Sequence, residues 1–139
     1  MKWRQMYDVY FLSKPHPPMK GDAYEVVCSL EDGYSAFLAP LFAKVNEEAG
    51  KTIVHVDWAH FCADDLKLLL QIIVTARKRM VAREENWDVL IGRDGNNKLL
   101  YAKVTKHKMN LFLGKIEEAI RKAQSSDACI SFNFWGGGG

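Results

Sequence analysis

The sequence predicts an α/β (α+β) fold, a single mixed β-sheet of about five strands flanked by three helices. Three observations lead there. Alternating, β-branched segments recur along the chain, three long segments repeat apolar residues at helical spacing, and a Gly/Asn turn joins two of the alternating segments into a hairpin. At 139 residues, 48% hydrophobic and 26% charged, the chain suits one globular domain over residues 1–135. The Gly136–Gly139 run is read as a flexible tail and set aside from function.

Met6 to Ser13 is aromatic and β-branched and predicts a first strand, stopped by Lys14-Pro15-His16-Pro17-Pro18 because proline has no N–H to give a ladder. Tyr24 to Leu30 suits a short second strand, with Glu31-Asp32-Gly33 as a turn. Phe37, Leu38, Leu41, Phe42 and Val45 predict a helix from Ser35 or slightly later to Ala49, closed by Gly50. Pro40 pushes its start toward Phe37, since proline is tolerated only in a first turn.

Thr52 to Trp58 alternates and predicts a central strand. From Ala63 to Arg83 a second helix is expected, with Asp64 and Asp65 at its positive end and Arg77, Lys78, Arg79 and Arg83 at its negative end. Its leucines and isoleucines run almost round the circumference, which predicts cover on more than one side. Trp87 to Gly92 and Lys98 to Val104 flank Arg93-Asp94-Gly95-Asn96-Asn97 as a hairpin. Thr105 caps a third helix to about Gln124, striped with Met109, Phe112, Leu113, Ile116, Ile120 and Ala123. Ile130 to Trp135 is the last strand.

Cys28, Cys62 and Cys129 are odd in number and far apart, and they read as small apolar fillers in a reducing cytoplasm. The start, Met1-Lys2-Trp3-Arg4-Gln5, lacks a secretory apolar run, and no apolar stretch is long enough for a membrane span. Net charge is +2, unevenly spread. Residues 1–66 hold six Lys/Arg against ten Asp/Glu, and residues 67–139 hold thirteen against seven. Folding is expected to interleave the two halves, though such a division could also orient a charged partner.

Three constellations bear on function. His55, Asp57, His60 and Cys62 offer imidazole, carboxylate and thiolate, but at no zinc-site spacing, so a structural role is favoured over metal or catalysis. No GxSxG, GxxxxGK or GxGxxG motif occurs, and the paired carboxylates diverge on their helices. Neither a cofactor nor a small-molecule substrate is expected. Basic clusters at Arg77–Arg83 and Lys103–Lys108, with Phe132 and Phe134 on one strand face, raise nucleic acid as an alternative. The small net charge and the simpler core role of those rings weigh against it. The third constellation sets amphipathic aromatics (Tyr7, Tyr10, Tyr34, Trp58, Tyr101) beside acidic residues, a pattern of anchors and rim suited to protein contact. From it, Glu31, Asp32, Tyr34, Asp57, Trp58, Asp64 and Asp65 are the candidate partner-binding residues.

The run Ile53-Val54-His55-Val56-Asp57-Trp58, the long apolar helix, Trp87-Asp88-Val89-Leu90-Ile91-Gly92, Leu99-Leu100-Tyr101, the amphipathic third helix and Ile130-Ser131-Phe132 together form a rhythm of elements. That rhythm resembles the small immunity proteins of bacterial polymorphic-toxin and contact-dependent growth inhibition systems. The resemblance implies a cytoplasmic, non-enzymatic inhibitor that binds one cognate toxin, often a nuclease, and blocks its active site. Acidic surfaces are common in such inhibitors; this chain departs from that with a pI near 8.4. The resemblance therefore implies either an interface built by the acidic first half or a toxin that is not a basic nuclease.

Overall fold

A computed structural model describes residues 7–134. Along it run β1 (Tyr7–Leu12), β2 (Glu25–Leu30), α1 (Asp32–Phe42), α2 (Val45–Ala49), β3 (Trp58–Cys62), α3 (Asp65–Val81), β4 (Asn86–Arg93), β5 (Leu99–Thr105), α4 (Lys106–Ser126) and β6 (Cys129–Asn133). Met6, Trp135 and the glycine tail, placed in the expected terminal strands and tail, lie outside the described residues. The fold class is the expected α+β. The strands do not form one mixed sheet, however. They divide into a four-stranded sheet, ordered β2-β1-β6-β3, and a separate β4-β5 hairpin, and every pairing is antiparallel.

The hairpin stands apart because its inner face is used on α1. Trp87 meets Phe37 edge-on at 5.6 Å, and a Cβ on Gly33 would come within 2.7 Å of Val104 Cγ2. Glycine is thus required where α1 crosses β5, a close backbone approach that a side chain would block. The hairpin turn forms as the sequence predicts, with Asp94 Oδ1 accepting from the backbone N–H of Asn96 and Lys98 and Asn97 at φ 64°.

The expected helix to Ala49 is two helices. Residue 40 lacks an N–H and sits inside α1, which ends two residues later; the N–H of Ala43 reaches only the Pro40 carbonyl. Gly50, at φ 69°, ends α2 as expected. α1 also begins earlier than expected, so the Glu31-Asp32-Gly33 turn is its first turn.

A larger correction concerns Thr52–Trp58. This segment is not a central strand; it is a return that leads into β3 and bridges it only at Val54–Ala59. Asn46 dictates the path. Its side-chain oxygen accepts from the N–H of Ile53 and Val54, and its amide donates to the Val54 carbonyl. The true strand begins at Trp58 and pairs with β6 at the edge of the sheet.

α3 buries one face only, through Leu66, Leu69, Ile72, Ile73, Ala76 and Met80. Leu68 and Leu70 are half-buried and Val74 is exposed, so the expected all-round cover is absent. α4 follows its predicted stripe, and Thr105 Oγ1 accepts from the Lys108 N–H as its cap.

One core joins the helices to the inner face of the four-stranded sheet, where Val9, Phe11, Ala59, Phe61, Ile130 and Phe132 are buried. Strand alternation then points Asp8, Tyr10, Trp58, His60, Ser131 and Asn133 to the opposite face, outside that core. Cys62 and Cys129 are directly opposed on this outer face and joined by a disulfide. They are not the separate apolar fillers expected from sequence; only Cys28, buried and free, takes that role. Among the described residues no helix is long and apolar enough to cross a membrane.

A candidate cleft on the outer sheet face

Register builds the site. Tyr10, Ser131 and His60 lie in one cross-strand row, and Asp8, Asn133 and Trp58 in the next. β6 runs through the middle carrying Ser131 and Asn133, while larger side chains stand on β1 and β3 to either side. The result is a trough whose floor is small and polar and whose walls are aromatic. Pro17, Pro18 and Tyr24, from the connection between β1 and β2, also line it. That connection crosses the outer face near the disulfide, where the His16 carbonyl lies 3.5 Å from Cys129 Sγ. The open cleft has a volume of about 580 Å³ and is lined also by Asp57 and Phe132, a size suited to a side chain or small ligand.

On the β3 wall, the Trp58 indole packs on two imidazoles, with centroids 3.6 Å from His55 and 4.2 Å from His60. His60 Nδ1 is 2.8 Å from Ser131 Oγ. Burial first, and the neighbouring His55 second, together push the His60 imidazole down to about 4. His60 is therefore neutral at pH 7, and the Ser131 hydroxyl donates to Nδ1 when the ring proton is on Nε2. On the other wall, Tyr10 packs on Tyr24 at 5.3 Å, and Ser29 Oγ donates to Asp8 beneath them.

His55 and His60 each pack on the Trp58 indole, and Cys62 is bonded to Cys129 and is not a free thiolate ligand. Among the described residues no group of three His, Cys, Asp or Glu is disposed to hold a metal. Ser131 sits in a regular strand paired on both sides. Its neighbouring amides belong to the ladders and do not turn toward its Oγ as an oxyanion hole would require.

Of the residues singled out from sequence, Asp57 and Trp58 line the cleft and the other five do not. Tyr34 is buried, 4% exposed, with its hydroxyl accepting from the Thr105 N–H; the expectation that it reaches the surface is corrected. Glu31 pairs with Lys108 at 2.7 Å, Asp64 approaches Lys67 at 3.9 Å, and Asp65 pairs with Lys51 at 2.9 Å. Asp32 opens α1 and is half-buried. Within the basic clusters, Lys106 Nζ donates to the Arg83 carbonyl and Arg77 pairs with Glu117. Tyr24, Ser131, Asn133, Pro17 and Pro18 were not foreseen as site residues, though the alternation around Ser131 already set it opposite Ile130 and Phe132.

The neutral, part-buried imidazole makes a testable statement about acid. Its folded pKa lies below the unfolded value of about 6.5, so the unfolded chain binds the extra proton between those limits. Stability from this group is complete above pH 6.5 and is lost as pH falls toward 4. Urea melts across that window should show the natural chain taking up about one more proton on unfolding, near pH 5, than His60→Gln. Equal slopes for the two proteins would remove the assignment.

Compared with models of known protein families, with curated proteins and with solved structures, the chain matches none.

Proposed function

We propose that this chain is a non-enzymatic binding protein that acts by stoichiometric capture of a partner polypeptide, and that the partner docks on the outer face of the four-stranded sheet. One observation carries the proposal: strand alternation sets Tyr10 and Trp58, and the β1–β2 connection sets Tyr24, around a cleft of about 580 Å³ outside the core. Trp and Tyr combine large apolar area with a polar edge and few rotatable bonds, which makes them strong interface anchors. Trp58, at 39% exposure, still has area to lose to a partner.

The sharpest version is an immunity protein that neutralises a cognate bacterial toxin. A nuclease toxin has a basic cleft, and Asp8 and Asp57 lie on or beside the face that would meet it. Such an inhibitor would work in the cytoplasm, where Cys62 and Cys129 would tend to be held as thiols. The test is therefore made in both reducing and oxidising hosts. The chain is co-expressed with the product of the adjacent gene, and both growth and complex formation are read. Relief of growth arrest with a 1:1 complex is the expected result. Trp58→Ala should weaken that complex by about 2 kcal/mol, roughly thirtyfold in Kd. A chain that purifies alone and rescues nothing in either host would sink the immunity version.

A further inference from the structure

We infer that the cleft receives an arginine side chain of the partner, held flat between the Tyr10/Tyr24 wall and the facing wall of His60 stacked on Trp58. The inference rests on the polypeptide-binding reading and specifies what enters. Tyr10 and His60 face each other across Ser131, two strand spacings apart. That is about 10 Å, or two ring-stacking separations, so one flat group fits in contact with both walls. The chain's own cations show what its aromatic faces attract elsewhere. Lys108 stands over Tyr34 and Phe112, Arg83 over Trp87, and Lys122 over Phe11. Among the described residues no such cation covers Tyr10, Tyr24 or Trp58.

Charge points the same way. Aromatic rings line the cleft and, among the described residues, no Lys or Arg does, an environment that favours a cation and disfavours phosphate. His60, neutral at pH 7, adds no positive charge. Planarity selects guanidinium over ammonium, because a guanidinium stacks on rings while its edge N–H groups donate. Ser131 Oγ on the floor has acceptor capacity beyond its bond to His60.

The probe is acetyl-Gly-Arg-Gly-amide, titrated into the whole chain and followed by the NMR signals of the Trp58 indole and the His60 ring. Its citrulline counterpart keeps the planar end and removes the charge. Saturable shifts at both residues are expected with the arginine peptide, about fivefold weaker binding with citrulline, loss in Trp58→Ala and partial return in Trp58→Phe. Equal binding of the two peptides, tighter binding of adenosine monophosphate, or no arginine binding would each overturn the inference. If the arginine peptide fails while the adjacent gene product still forms a complex sensitive to Trp58→Ala, the docking face stands and only its occupant is wrong. If both fail, the binding reading falls with it.

Discussion

Replacing Cys62 and Cys129 together by alanine should lower the stability of the oxidised protein by about 4 kcal/mol. The bond closes a loop of 67 residues, and the chain-entropy relation for a loop of that length gives about that value. Native domains of this size hold roughly 5–15 kcal/mol in all, so the loss would remove a large fraction. The bond also joins β3 to β6 at one end of the cleft, where the β1–β2 connection crosses the outer face. A urea midpoint lower by about 2 M is expected, given a typical dependence of ~2 kcal/mol per M. Thiol counting supplies the independent check. Unfolded without reductant, the chain should show one reactive thiol, Cys28, and after reduction all three of its cysteines. Three thiols before reduction would refute the pairing.

That pairing was invisible in the sequence for a physical reason. Nothing in the spacing of Cys62 and Cys129 marks them as partners, because strand register alone brings them together. The same reason explains much of what else was missed. Periodic elements were legible: α3 and α4 announce themselves by apolar spacing, and the hairpin turn by Asp94, Gly95 and Asn97. β3 was not. In Trp58-Ala59-His60-Phe61-Cys62 the largest ring faces outward while the inward position beside it is only alanine. The alternation of Val54 and Val56 with His55 and Asp57 just upstream therefore looked like the better strand. Asn46, seven residues before Ile53, redirects that segment through its side-chain amide, an effect no periodicity encodes. Of the candidate site, Asp57 and Trp58 were found because they flank a strand. Tyr34 was misplaced because Gly33 suggested an exposed turn, whereas that glycine serves close packing of α1 on β5. Long-range registry, which decides that Tyr10, Ser131 and His60 share a row, cannot be read from any one segment.

Two neighbouring substitutions in β6 should separate the two faces of the sheet by their size. Phe132 is 1% exposed and touches Phe42 at 5.1 Å, Phe61 at 6.0 Å and Phe134 at 6.2 Å. Phe132→Ala leaves a ring-sized void among rigid neighbours and should cost about 3–5 kcal/mol, enough to bring a typical domain near its unfolding threshold. Ser131 is also buried, but on the outer face, where its hydroxyl meets His60. Ser131→Ala removes one hydrogen bond and opens no cavity in the core, so about 1 kcal/mol is expected. Because Ser131 forms the floor of the cleft, partner affinity should fall in Ser131→Ala at a temperature where the variant remains folded. Thermal melts of both variants, paired with partner binding for Ser131→Ala, test the assignment. A Ser131→Ala loss as large as that of Phe132→Ala would mean that the outer face is a second core, and the cleft could not then be a docking surface.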